Sequence, residues 1–237
     1  MSFQLSIDPV RPAEFPVEET IIELGRQVLE STASWKVGKT FSKGTVQTLS
    51  RAKGPGDGAP WHCRVSNHTK EDATFDEFWS KIGTNKAENE KEFISAIKKV
   101  TLVKRISETQ SIWTMYYTFP PPVSPRVFTV LQTIHFRESA PRTGLVVSIP
   151  VDLSGPGDED LVKLEEKGTK GRYVSVERLV ELDDGTVEWR MATSSTPGGS
   201  IPTFITEGSM PGQISADVPH FLKWFHTVRN QGTCVTR

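Results

Sequence analysis

The stretch Ser111–Arg137 (SIWTMYYTFPPPVSPRVFTVLQTIHFR) sets the tightest limit on what this chain can fold into. In its first arm Trp113, Met115, Tyr117 and Phe119 fall on one side, while Ile112, Thr114, Tyr116 and Thr118 fall on the other. That period of two predicts a strand with one buried face, filled by large apolar groups. The second arm sets Phe128, Val130, Ile134 and Phe136 on one face, with Gln132 the one polar member. Between the arms stand Pro120, Pro121, Pro122 and Pro125, which fix φ and lack a donor. Such a segment is a stiff loop that cannot join a sheet interior. Two aromatic strands joined by a rigid loop either wall a cavity or pack a core.

The remaining pattern says what surrounds them. Val17–Ser31 has near-helical apolar spacing and early acids, Glu18 and Glu19, as the helix dipole prefers. Short strands are predicted at Ser34–Phe41, Thr45–Arg51 and Trp61–Asn67, divided by glycine-rich turns. Thr74 with Glu77 makes a capping box for a helix over Phe75–Ile82, and Asn85 opens a second one, Lys86–Ser95. Strands then follow at Ile97–Ile106, Ile112–Phe119, Val127–Arg137, Leu145–Val151, Arg172–Leu182 and Thr186–Ser194, the last two joined by the tight turn Asp183-Asp184-Gly185. The charged loop Ser154–Lys170 is expected to hold one helical turn.

The end differs in kind. After Pro197-Gly198-Gly199, Ser200 is the expected cap of a long helix with Pro202 in its first turn. Its apolar stripe is Phe204, Ile205, Ile214, Val218, Phe221, Leu222, Trp224 and Phe225, and Pro211 and Pro219 are expected to kink it. Six strands with no full helix between them predict a meandering antiparallel sheet, hence an α+β fold. The concave face of such a sheet is left for the last helix to cover. The division read from the sequence is an extended lead-in over 1–16, a single domain over 17–230 and a tail over 231–237.

Composition narrows the partners. The 237 residues carry a formal net charge of -1. No whole-molecule field attracts nucleic acid or an anionic bilayer. The basic run ending in Lys98, Lys99, Lys104 and Arg105 reads as a solvated face. Two distant cysteines, Cys63 and Cys234, have no metal spacing and read as ordinary thiols of a reduced compartment. The N-terminus lacks the basic and apolar regions of a signal peptide, and no stretch approaches the roughly 18 apolar residues of a membrane span. The expectation is a cytoplasmic, monomeric protein.

From about Ala33 to Arg229 the chain resembles the START (lipid-transfer) domains of the helix-grip superfamily, and looks closest to an uncharacterised fungal branch of them. The likeness is carried by Phe119–Val130 (FPPPVSPRVFTV), Ile149-Pro150-Val151-Asp152, Gly171–Glu177 (GRYVSVE) and Gly198–Phe204 (GGSIPTF), in that order and spacing. It implies about nine curved antiparallel strands gripping the C-terminal helix, with a hydrophobic tunnel between them. The ligand-facing residues it implies are Trp113, Met115, Tyr117, Phe128, Val130, Gln132, Ile134, Val147, Trp189, Met191, Phe204, Ile205 and Gly208. A lid is implied at Phe119, Pro121, Val123 and Arg126. Where several START tunnels hold an acid–arginine pair, alignment puts Trp113 and Gln132 here, which suits an uncharged ligand.

Catalytic chemistry is sparse by comparison. His62 and His68 stand about 20 Å apart at strand rise, too far to share a metal. His135 should point away from the cavity, and His220 and His226 read as surface positions. Val37-Gly38-Lys39-Thr40 lacks the first glycine of a phosphate loop, and Gly198-Gly199-Ser200 is no nucleophile elbow. Arg64 is expected at the surface, and Arg126 is expected to tie the lid to the sheet. The inward face of 172–182, which carries Glu177 and Arg178, is not fixed by the pattern. The reading is therefore a carrier or sensor of a lipid-like small molecule, with no cofactor or metal, no catalytic residue and transient membrane contact. The alternative is a cyclase- or aromatase-like helix-grip enzyme acting on a polyketide-like substrate.

Overall fold

The structure, a computed structural model, describes residues 3–199 and 203–233, the side chains of 203–207 and 231–233 excepted. The expected cap Ser200, Pro202 and Cys234 lie outside the described residues. The first helix, α1, spans Glu18–Ser31. Three strands follow, β1 (Lys36–Phe41), β2 (Val46–Arg51) and β3 (Trp61–His68). The helices α2 (Phe75–Ile82) and α3 (Lys86–Phe93) lead into β4 (Ile97–Arg105), β5 (Gln110–Tyr117), β6 (Arg126–Arg137) and β7 (Thr143–Pro150). One turn of helix, α4 (Glu159–Val162), and a two-residue strand, β8 (Thr169–Lys170), precede β9 (Arg172–Glu181), β10 (Val187–Thr196) and the long α5 (Thr203–Thr233).

One sheet contains all the strands, in the order β1-β2-β3-β10-β9-β7-β6-β5-β4, every neighbouring pair antiparallel. The short β8, missed in the sequence pattern, runs parallel to the start of β6. The turns follow the local chemistry. Thr74 and Glu77 complete the reciprocal capping box at α2. Gly185 takes φ +77° in the β9–β10 hairpin, a conformation that costs glycine little. Pro211 and Pro219 lie inside α5, which is one continuous helix.

Both faces of the sheet are covered, whereas the alternation in Ser111–Arg137 predicts one. On the outer face Ile21, Ile22 and Leu29 of α1 pack on Leu145, Val147, Ile149, Val174 and Val176. Gly25 brings the helix close there, since a Cβ at that position would stand 2.8 Å from Val147 Cγ2. The expected lead-in joins this layer: Leu5 and Ile7 are buried, and Val10 bridges Val151. Ile112, on the predicted polar side of β5, belongs to this layer too, and His135 accordingly points outward, 2.9 Å from Arg26.

On the inner face the core is aromatic. Phe78 of α2 and Phe221 of α5 stack at 5.3 Å, and Phe221 meets Trp189 of β10 edge-on at 5.1 Å. Phe75, Ile82, Val146, Leu179, Val218 and Phe225 complete this cluster. It fills one end of the concave face and leaves the other end, below the β5–β6 loop, for a cavity.

Candidate functional site

The cavity measures about 510 Å³ and lies between the sheet, the grip helix α5 and the small helices α2 and α3. Its apolar wall consists of Tyr117, Phe119, Phe128, Tyr173, Trp189 and Met191, with Phe93 from α3 and Met210 and Ile214 from α5. Of the residues the sequence puts around a tunnel, Tyr117, Phe128, Trp189, Met191 and the lid residue Phe119 meet here. Phe119 is 38 % exposed and stacks on Tyr117, so the lid loop rests one ring on the mouth.

The other expected residues are dispersed. Trp113, Met115 and Val130 share the inner face but are buried with Ala87 of α3, so they pack a core rather than line the space. Gln132 is buried opposite Ser148 on β7, away from the cavity wall, and its Nε2 lacks a partner. Ile134 packs into the aromatic cluster. Val147 points outward onto α1; Val146 is the inward residue of that pair. In Thr143–Pro150 both faces are buried, so the apolar run has no alternation from which parity could be read. Gly208 is exposed beside β1, lining a separate recess with Pro211 and Gly212. The side chains of Phe204 and Ile205 lie outside those described.

In the lid, Pro121 is exposed and Val123 half-buried. Arg126 is buried and ties the loop down, its Nη1 donating to the Ser124 carbonyl at 2.5 Å and the Ser124 hydroxyl at 2.6 Å.

The polar side of the cavity was not foreseen. Arg64, expected at the surface, is 2 % exposed. Its Nη2 donates to Glu177 Oε1 at 2.9 Å, and its guanidinium lies 4.1 Å from the Trp189 ring centroid. The same Glu177 oxygen accepts Trp189 Nε1 at 2.7 Å, and the other oxygen accepts Lys86 Nζ at 2.5 Å. Lys86 also donates to Glu90 Oε1 at 2.6 Å. By the resemblance, Trp113 and Gln132 stand where the family's acid–arginine pair would be. This cavity has an acid–arginine pair elsewhere, between β3 and β9, so its wall is charged, contrary to the expectation of a site suited to an uncharged ligand.

The network sets the charge states. Burial favours neutral Glu177, but Lys86 and Arg64 outweigh it and hold the carboxyl below its usual range. Burial likewise opposes charge on Lys86, and Glu177 and Glu90 reverse that effect, raising its pKa. Asp217 on α5 behaves differently. Burial pushes its carboxyl up to about 7; Arg64 and Lys86 pull it down while Glu90 and Glu177 push it further up.

Asp217 had a legible signal. It falls three residues after Ile214 and four before Phe221, on the buried stripe of α5. Arg64 and Glu177 gave less: a lone charge on a strand is ordinarily a solvent-facing one.

One arrangement imitates a catalytic triad. His68 Nε2 stands 2.8 Å from Ser66 Oγ, and its Nδ1 stands 3.1 Å from Asp72 Oδ2. Ser66 and His68 are both buried, and the His68 ring lies against Phe78 and Trp189. Neither Ser66 nor His68 borders the cavity, and the trio's hydrogen bonds satisfy polar atoms of the core. Among the described residues no cluster of three or more His, Cys, Asp or Glu could hold a metal ion. Cys63 is buried, which pushes its thiol up to about 11 and leaves it a poor nucleophile.

Among solved structures the chain is similar to human StAR-related lipid transfer protein 5, at 15 % identity and a TM-score of 0.71, covering 90 % of this chain and 96 % of that one. It is similar to human STARD10 at 11 % identity and a TM-score of 0.72, covering 93 % and 84 %. A STAR-related lipid transfer protein from Xanthomonas axonopodis matches at 15 % identity and a TM-score of 0.60, covering 81 % and 98 %. The chain therefore has the START helix-grip fold that its sequence resembles. A search of curated proteins found no match. Residues 61–225 match the family model described as "Protein of unknown function (DUF3074)". With that match spanning more than half of the sequence, the chain belongs to the DUF3074 family.

Proposed function

We propose that the protein binds a hydrophobic small molecule in the cavity under α5 and carries it between membranes or senses it. The observation that carries this reading is the space of about 510 Å³ walled by Tyr117, Phe119, Phe128, Tyr173 and Met191. A volume of that size with a mostly apolar wall and a few convergent polar groups is what small-molecule sites have in common. The similar solved structures are StAR-related lipid transfer proteins, which supports a lipid-like ligand. Phe119, partly exposed on the lid, is the group expected to touch a bilayer as the ligand enters. The test is mass spectrometry of what co-purifies with the recombinant protein, followed by transfer of that compound between vesicles. Recovery of no small molecule in stoichiometric amount, together with no displacement of an apolar probe, would refute the reading.

A second reading, a cyclase-like enzyme, is favoured by one observation. Asp217 borders the cavity, and burial pushes its carboxyl up to about 7, the range asked of an inward acid or base. Incubating the protein with its co-purified compound and comparing mass and chromatographic retention separates the two. A carrier returns the compound unchanged. Retention is needed because a cyclisation can leave the mass unaltered.

A further inference from the structure

The cavity has one more acid than its two buried cations can pair. Arg64 and Lys86 are its buried cations, and both are engaged: Arg64 with Glu177, Lys86 with Glu177 and Glu90. Against these two charges stand three carboxyls, Glu177, Glu90 and Asp217, all bordering the same space. Among the described residues Asp217 makes no hydrogen bond or ion pair. Lys81 at the end of α2 and His220 on α5 also reach the cavity wall, but the charges acting most on Asp217 are Arg64, Glu90, Glu177 and Lys86. Those four cancel, so ionised Asp217 is the surplus charge.

We propose that the ligand is an amphiphile with a protonatable amine, its ammonium set against Asp217 and its apolar body lying along Tyr117, Phe119, Phe128 and Tyr173. This rests on the cavity reading above and names the head group that reading leaves open. A cation at Asp217 balances the buried charges around it, and the π faces of the wall attract it further. Desolvation pushes the Asp217 carboxyl up to about 7, which agrees with this, since an acid shielded from water without its cation is the one that holds a proton. An anionic head fits worse. Arg64 Nε and Nη1 lack acceptors, but they are buried with the guanidinium against Trp189, and a ligand carboxylate would have to enter beside three others. Arg64 and Lys86 do not oppose the amine, because their charge is already held by Glu177 and Glu90.

The experiment uses the full chain and pyrene as a neutral apolar probe, displaced by phenylbutylamine, phenylbutanol or phenylbutanoate. At pH 8 the amine is expected to displace pyrene at about one tenth the concentration the alcohol needs, or less, corresponding to a tenfold tighter Kd. The carboxylate is expected to be the weakest of the three. The amine's advantage should grow from pH 6 to pH 8 as Asp217 ionises, and the alcohol should show no such trend. In Asp217→Asn the amine should fall to the alcohol's level while the alcohol is little changed. Equal or better displacement by alcohol or carboxylate in the native chain overturns the amine assignment and leaves the cavity reading standing. So does a pH-independent amine preference, a wild-type measurement that holds even if the variant does not fold. Failure of pyrene to bind at all overturns both.

Discussion

Arg64 and Glu177 form an ion pair although their strands are not neighbours. Both are paired in register with Met191 on β10, the strand that runs between them, so the pair closes over that residue. Two strand spacings, roughly 10 Å of sheet, separate their backbones. Glu177 is the hub, because it alone contacts Arg64, Lys86 and the Trp189 indole.

Glu177→Gln should therefore be among the most damaging isosteric changes in the inner face. It leaves two buried cations without their common counter-charge, and breaking one side of a buried pair costs about 3–5 kcal/mol. Urea unfolding of the variant against the native chain measures this. A loss below roughly 1 kcal/mol would show that Arg64 and Lys86 find other partners.

Stability should respond to pH through Asp217 in a direction opposite to the usual carboxylate. Its folded value, about 7, lies above the ordinary value of 3.8, so the folded state holds the proton more tightly. Stability from this group is fully present below pH 4 and is lost as pH rises through 7. Between pH 5.5 and pH 7.5 the loss should be about 2 kcal/mol, and Asp217→Asn should remove it. The depressed Glu177 acts in the opposite sense, its contribution being lost only at acid pH as the folded carboxyl takes up a proton. Thermal melts of both proteins across this range give the comparison.

Gly25→Ala should destabilise the protein, although alanine in place of a mid-helix glycine ordinarily gains about 1 kcal/mol. The added Cβ would stand 2.8 Å from Val147 Cγ2 and 3.3 Å from Val176 Cγ1. Overpacking of this kind costs about 1–3 kcal/mol. Val147→Ala in the same chain should recover part of the loss, and pyrene binding should be unaffected because α1 lies on the other face. A double-mutant cycle in Tm tests the first point, and fluorescence titration the second.

Gln132→Leu should leave ligand binding unchanged. Gln132 does not border the cavity, and its Nε2 is buried without an acceptor. Removing that group should be neutral or stabilise by up to about 1 kcal/mol, measured by urea unfolding. A tenfold loss of pyrene or amine affinity would instead place Gln132 in the site.

The fold was legible because its signals are local. Alternation in β5 and β6, the capping box at Thr74 and the turn at Gly185 each act over a few residues, and the meander follows from their order. The site was legible only in part. Tyr117, Phe128, Trp189 and Met191 announce themselves as large inward groups, but whether such a group lines a void depends on what covers it. Ala87 of α3 buries Trp113 and Met115, and nothing in Ser111–Arg137 records that helix. Val147 was misplaced by one residue, because a strand buried on both faces shows no parity. The charged network escaped for another reason. Arg64, Lys86, Glu177 and Asp217 come from four elements, each a single unremarkable charge until the fold brings them together.

Among the described residues the sheet is open, and its two outermost strands, β1 and β4, have a strand neighbour on one side only. Lys36 and Lys39 stand exposed on β1, and Lys98, Lys99, Lys104 and Arg105 on β4. An approaching copy that tried to extend the sheet through either rim would bring lysine against lysine at strand spacing, a repulsion that no side-chain burial there offsets. The basic run in the sequence thus disfavours the templating of aggregation at the rim of an open sheet.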